Sequence, residues 1–369
     1  MAAATTTAAA ARKPILIAGA GLSSLLLGQS LLRARIPFHI FERDASISFR
    51  AQGYRLRLST EGLDAIESVL SPELFTQFWD KCGKTGGGVF ASLDARTGEP
   101  ESESEQRPEQ KQNPAPAPAD KTKRETTSQQ TGGAAATATT TTGSDDDDDD
   151  AASTRIKEML HSRGGKVVGI ARGDMRKLFM QGCESHIQWS HHVTGYELTG
   201  DGVRAIFADG SRSVEGALLV GGEGIYSKVA RQLSGGKLKV YDTGARGIHG
   251  QAPTTAFRQL GEGTEAAFWK ITCSTPSGVP EWPNEPRVTV IGDAVHSMTP
   301  AGGLGANTAC RDSALLGRLL ADKGGYDAGV TAAYEKEMRV YGSEAVAASY
   351  GMAVSQFGVS IDEATSPTV

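Results

Sequence analysis

The sequence predicts an α/β fold, built on a Rossmann-like dinucleotide-binding unit. Three stretches carry that expectation. Residues 14–44, PILIAGAGLSSLLLGQSLLRARIPFHIFERD, read as a complete β-turn-α-β unit of about thirty residues. Residues 291–307, IGDAVHSMTPAGGLGAN, lead an apolar strand into Gly-Asp and then into three glycines within four positions. Between them, residues 97–152 change composition so sharply that they predict an insertion outside the fold.

In the first unit, ILIA is an apolar run suited to a buried parallel strand, LSSLLLGQSLLRAR spaces its apolar residues helically, and FHIFE is a second strand. The turn between strand and helix holds Gly19 and Gly21, the first two positions of a Gly-x-Gly-x-x-Gly pattern, with Ser24 where the third glycine is expected. Such a turn lets backbone approach a pyrophosphate, while the helix N-terminus offers unpaired N–H groups and a partial positive charge. Glu42 ends the second strand about twenty residues on, positioned to accept hydrogen bonds from an adenosine ribose.

Next, GYRLRLSTEGLDAIESVL predicts an alternating strand and a helix capped by Ser59 or Thr60, with Glu61 and Asp64 in its first turn, where the dipole favours acids. Residues 97–152 have almost no large apolar side chain to offset their ordering entropy; they read as a disordered insertion suited to protein partners, and the aspartates at 145–150 as a solvated acidic tract. STRIKEMLHSRGG is helix-like, and RGDMRKLFMQGCESHIQW predicts a helix starting at Arg172 or Gly173. VTGYEL, VRAIFAD and SVEGALLVGG read as strands, GEG as a turn and IYSKVARQL as a helix. The adjacent His191 and His192, on an edge strand, would face opposite sides and so form no metal pair. RVTVIGDAV is the last apolar strand; NTACRDSALLGRLLADK is an amphipathic helix beginning at Asn307, and helix continues through TAAYEKEMRVYGSEAVAASYGMAV.

The 369 residues carry a net charge of -5, which becomes +1 without the six aspartates at 145–150, so the folded part has no broad field to attract nucleic acid or an anionic membrane. The four cysteines are scattered with no CxxC pair and fit buried thiols in a reducing compartment. MAAATTTAAAARKP makes a poor secretory signal, and no apolar stretch approaches the roughly eighteen residues of a membrane span, so a cytoplasmic protein is expected.

Taken in order, GAGLSS, FERD, RGDMR, ALLVGGEGIYSKVARQL, DTGARGI and EWPNEPRVTVIGDAVHSMTPAGGLGANTACRDSALL resemble the sequence blocks of the flavin-dependent aromatic hydroxylases. These are the single-component class A monooxygenases of the para-hydroxybenzoate hydroxylase fold, here with the flavour of fungal secondary metabolism. The resemblance implies a GR2-type Rossmann-like FAD-binding domain assembled from 14–96, 153–245 and 288–342, after a tail at 1–13. Residues 246–287 would be a truncated β-sheet substrate domain, and 343–369 a C-terminal helix and tail.

By the same resemblance, Gly19, Gly21 and Glu42 would hold the ADP part of FAD, Arg172 would contact its linker, and Asp293 its ribityl or pyrophosphate region. Gly302, Gly303 and Gly305 would let backbone lie against the isoalloxazine, and Arg43, Ala306 and Asn307 join the cofactor-binding positions. Glu223, in GGEG, stands where the family usually has the Asp of an Asp-Gly pair that handles both FAD and NAD(P)H. His296 and Pro300 read as shaping the glycine loop. Asp293 directly follows a buried strand, and a helix opening at Asn307 would stabilise negative charge on the reduced ring through its dipole. The implied activity is oxygenation of an aromatic or polyketide-like small molecule with NAD(P)H and O2. A non-catalytic flavin-binding or interaction protein derived from such an enzyme is the alternative, resting on the short substrate region and the insertion.

Overall fold

The computed structural model describes residues 12–47, 55–86, 163–251 and 265–369, all within a unit formed by Met1–Gly87 and Lys157–Val369. The insertion read at 97–152 and nearly all of the helix-like STRIKEMLHSRGG segment lie outside the described residues.

Strand β1 (Ile15–Ala18) is buried along its whole length, and Gly19 ends it at φ +84°, a backbone angle that glycine adopts without strain. Helix α1 (Leu22–Arg33) follows, with Leu25, Leu26, Leu27 and Leu31 fully buried. Strand β2 (Phe38–Phe41) returns parallel to β1, Ile15 opposite Phe38, completing the β-turn-α-β unit read from the sequence. After β3 (Arg55–Leu58), α2 (Thr60–Val69) starts on the expected cap: Ser59 Oγ accepts from the Gly62 N–H at 3.1 Å. Helix α3 (Pro72–Lys81) opens on Pro72, where the missing N–H costs nothing. Strands β4 (Gly83–Gly86) and β5 (Lys166–Ala171) join β3 in an antiparallel sheet of order β3-β5-β4.

Helix α4 (Arg172–Met180) starts where RGDMR predicts but does not run to Trp189 as expected. Gly182, at φ +80°, cannot continue a right-handed helix, and the chain turns into β6 (Ile187–Gln188), which pairs with β2. His191 and His192 precede β7 (Val193–Leu198) rather than lying on a strand; the His191 ring sits edge-on to Phe207, 5.0 Å between centroids. Strand β8 (Val203–Phe207) pairs antiparallel with β7. Only the end of SVEGALLVGG forms β9 (Leu218–Gly221), because Gly216 bridges back to Val203 instead. Helix α5 (Lys228–Leu233) is followed by the antiparallel pair β10 (Val240–Gln251) and β11 (Glu265–Ser274), a two-stranded sheet. Then come β12 (Val288–Val290), the single turn α6 (Asp293–His296), α7 (Gly305–Asp322) and α8 (Val330–Phe357).

The central sheet is parallel, in the order β12-β9-β1-β2-β6. The chain steps outward from β1 to β2 and β6, then crosses to the other side for β9 and β12, so its direction reverses between β1 and β9. In doubly wound sheets a ligand crevice lies beyond the carboxyl ends of the strands at such a reversal. Helices α1, α2 and α7 pack on one another, and α8 packs along α7. No helix among the described residues is long and apolar enough to cross a membrane.

Candidate functional site

Four strands of the parallel sheet deliver their following residues to one edge: Gly19 after β1, Glu42 after β2, Gly222 and Glu223 after β9, and Gly292 and Asp293 after β12. The turns after β1 and β9 touch. A Cβ on Gly19 would stand 2.7 Å from the Gly222 carbonyl oxygen, so a side chain is excluded there on steric grounds as well as by φ. Ser24, fully buried, occupies the third glycine position of the fingerprint, and a side chain on Gly222 would collide with its hydroxyl. The volume added by Ser24 on the helix is therefore accommodated by a glycine on the facing loop.

Glu42 is 7% exposed and braces the first turn: Oε2 accepts from the Ala20 N–H at 2.8 Å and Oε1 from the Asp44 N–H at 3.0 Å. Arg176, on α4 and 4% exposed, lies 3.5 Å from Glu42 and donates through Nε to the Ala20 carbonyl at 2.9 Å. Both peptide groups of Ala20 are thus held by one buried ion pair. The RGDMR motif points to its first arginine, Arg172, and leaves Arg176 unmarked. Arginines four apart lie on one helical face, and that spacing is the signal in the sequence that could have found it. Arg43 is exposed, with Nε 4.0 Å from Asp44. Gly21 gives α1 no capping side chain, so first-turn N–H groups remain for a ligand at this edge.

Asp293 opens α6 behind Gly292, which adopts φ +62°. Its side chain reaches solvent, yet surrounding protein atoms lift the carboxyl above the usual range by desolvation, opposed by His296 and Arg172. Arg172 and Asp293, far apart in sequence, are brought close enough to interact electrostatically. Behind them, His296 and Asp312 are each 0% exposed. Asp312 Oδ2 accepts from the Gly292 N–H at 2.6 Å and lies 2.7 Å from His296 Nε2, while Oδ1 accepts from the Tyr341 hydroxyl at 2.6 Å. His296 Nδ1 has no partner among the described residues, which favours the tautomer with the proton on Nε2.

The loop before α7 contains Gly302 and Gly303 in left-handed conformations, φ +73° and +66°. Helix α7 begins at Gly305, so Asn307 lies in its first turn rather than at its start; left-handed Gly303 still lets Leu304 and Gly305 enter the helix early. Instead of opening the helix, Asn307 binds the glycine loop to β3. Its Nδ2 donates to the carbonyls of Gly303 (2.8 Å) and Arg57 (3.1 Å), and its Oδ1 accepts from the Ser59 N–H (2.9 Å). Ala306 is half-buried beside it, and no side chain caps α7. Glu223 sits at the same sheet edge, but its carboxylate accepts from the Ser227 hydroxyl (2.7 Å) and the Val229 N–H (3.1 Å) and so anchors the start of α5. Burial lifts this carboxyl above the usual range, opposed by the bond from Ser227.

Residues 279–349, from the approach to β12 through the glycine loop into α8, match the FAD binding domain family. The chain is also 24% identical over 425 residues to the dual O-methyltransferase/FAD-dependent monooxygenase elcB of Phaeosphaeria nodorum, which covers 84% of this chain and 40% of that protein. Both comparisons find FAD-binding monooxygenases as what this chain is similar to. A crystal structure of Klebsiella pneumoniae HpxO with FAD and uric acid superposes with a TM-score of 0.60 at 15% identity, covering 92% of this chain and 88% of that one. That of 2,6-dihydroxypyridine-3-hydroxylase from Arthrobacter nicotinovorans gives 0.58 at 12% identity, covering 95% of each chain. These likenesses establish the fold. The chain spans about two fifths of the length of elcB.

Its sheet edge also fits FAD on its own chemistry. Two glycine turns leave no room for side chains where β1 meets β9, the N-termini of α1 and α7 carry no capping side chain, and the Asp293 carboxyl is desolvated within reach of an arginine's charge. Phosphates, ribityl hydroxyls and an electron-rich ring need such donors and acceptors.

Proposed function

We propose that this chain is an NAD(P)H-dependent FAD monooxygenase acting on an aromatic or polyketide-like small molecule. The observation that carries the reading is the gathering of both glycine turns, Glu42, Arg172 and Asp293 at the reversal point of one parallel sheet. Bound there, FAD would supply the redox chemistry, taking two electrons from NAD(P)H so that one atom of O2 enters the substrate and the other leaves as water.

The residues of the chain bind and orient. Gly19 and Gly21 would open the first turn to the pyrophosphate, and the first-turn N–H groups of α1 would meet its charge. Glu42 uses part of its acceptor capacity on Ala20 and Asp44, and the remaining lone pairs would take the ribose hydroxyls. Arg176 holds that carboxylate in place. Asp293 and Arg172 would hold the ribityl and linker region. Backbone at Gly302, Gly303, Gly305 and Ala306 would lie along the ring, fixed there by Asn307, with the α7 N-terminus favouring negative charge near it. Glu223 supports the second turn from the α5 side, and the NAD(P)H contact expected of it would come from the backbone it fixes.

The proposed substrate class rests on the company the chain keeps. Its partly matching fungal relatives join an O-methyltransferase to an FAD-dependent monooxygenase, and solved neighbours include a salicylate hydroxylase. Oxygenated planar rings are common to that chemistry. The test is NADPH consumption by the FAD-loaded protein across a panel of phenols and aromatic polyketides under isotopically labelled O2. One labelled atom in the product is expected, whereas NADPH oxidation yielding only hydrogen peroxide with every compound would contradict the reading.

A further inference from the structure

We propose that Asp312, His296 and Tyr341 form a positioning latch for the Gly292–Asp293 turn, which sets FAD affinity from behind the site without touching the cofactor. The inference rests on the reading of Asp293 as a cofactor ligand. Helix α6 is one turn long with no capping side chain, and so short a helix has no orientation of its own. Asp312 supplies one. On α7, it grips both ends of the segment, the Gly292 N–H at 2.6 Å and His296 Nε2 at 2.7 Å, and both meet the same oxygen. The peptide plane at Gly292 decides where Asp293 points, and only glycine adopts its φ of +62° at no cost.

The second oxygen of Asp312 receives the Tyr341 hydroxyl from α8. Helix α8 also presses on His296 directly, since a Cβ on Gly342 would lie 3.1 Å from the imidazole Cδ2. Further along, Ser349 Oγ donates to the Thr299 carbonyl at 3.0 Å. The same hydroxyl lies 3.2 Å from the Ala301 carbonyl, so the long helix holds the loop on both sides of Pro300. The groups facing the latch are Asp293 on α6, with Arg172 near it, Cys310 on α7, Tyr334 on α8, and Arg311, whose guanidinium stacks on the Tyr341 ring at 4.1 Å. A carboxylate with no solvent exposure is expensive unless fully hydrogen-bonded, and Asp312 meets that condition with three donors from two separate segments.

The experiment compares His296→Leu, His296→Gln, Tyr341→Phe and Asp312→Asn with the unaltered chain. Three quantities are read: the FAD dissociation constant from quenching of flavin fluorescence, the visible spectrum of bound flavin, and the melting midpoint of the apoprotein. Glutamine places a donor near the Nε2 position; leucine does not. His296→Leu is expected to weaken FAD binding by about tenfold and alter the bound spectrum, as loss of a hydrogen bond to a charged group implies. His296→Gln should recover most of that loss, and Tyr341→Phe should weaken binding by a smaller factor. Should Asp312→Asn fail to fold, the histidine pair and Tyr341→Phe still decide. Variants that melt earlier yet bind FAD as the unaltered chain does, or a glutamine no better than leucine, would overturn the latch alone. An unaltered chain that binds no FAD would sink the cofactor reading with it.

Discussion

At Asn307, a single amide joins the glycine loop to β3 through three hydrogen bonds, and two substitutions test that reading. Asn307→Asp keeps the acceptor for Ser59 but sets an oxygen against the carbonyls of Gly303 and Arg57. A loss of about 2–3 kcal/mol is expected in denaturant titration, because two carbonyls lose their donor and face a charge. Gly62→Ala should also destabilise, although alanine in a helix usually gains up to about 1 kcal/mol over glycine. The added methyl would run into Asn307 Oδ1, which its hydrogen bonds prevent from moving aside. A stabilised Gly62→Ala protein would show that Asn307 is freer than described. Gly19 and Gly292 are legible in the sequence because positive φ at a strand end selects for glycine. The part Asn307 plays is not, since its partners in β3 and at Ser59 lie about 250 residues away and no local pattern reports them.

Helix beginnings are more legible than helix ends. Ser59 caps α2 as the sequence implies, and Ser59→Ala should cost about 1 kcal/mol through the lost bond to Gly62, read as a lower melting midpoint. A change much larger than this would mean that the Ser59 backbone bond to Asn307 fails as well. The segment 172–189 defeats the pattern because its apolar spacing runs on past Gly182, whose backbone angle ends the helix. The run before β9 fails for the opposite reason: its strand pattern is real, but Gly216 is drawn into pairing with Val203. In both cases one glycine, judged only by its neighbours in sequence, carries a tertiary instruction.

Across the whole molecule, the order β12-β9-β1-β2-β6 is not readable from the sequence, because parallel pairing of short apolar strands is decided by the helices between them. That order nevertheless places the residues at four strand ends together. Proton binding tests the buried network at this scale. Burial opposes the His296 imidazolium, but Asp312 at 2.7 Å more than offsets it, so the folded value lies above the ordinary 6.5. The stability that His296 contributes is therefore complete below pH 6.5 and is lost as pH rises through the folded value. His39, lowered by burial, acts below 6.5, and buried thiols such as Cys82, pushed up to about 11, act above their ordinary 9.0. Between pH 6.5 and 9, the urea midpoint should fall in the unaltered chain and stay flatter in His296→Gln.

The most direct measurement is FAD retention: the purified chain is incubated with FAD, separated from free flavin, and its visible spectrum recorded before and after anaerobic addition of NADPH. A yellow protein holding one FAD per chain, bleached by NADPH, is the predicted result. A colourless protein would contradict the central claim that the carboxyl edge of this sheet is a working flavin site.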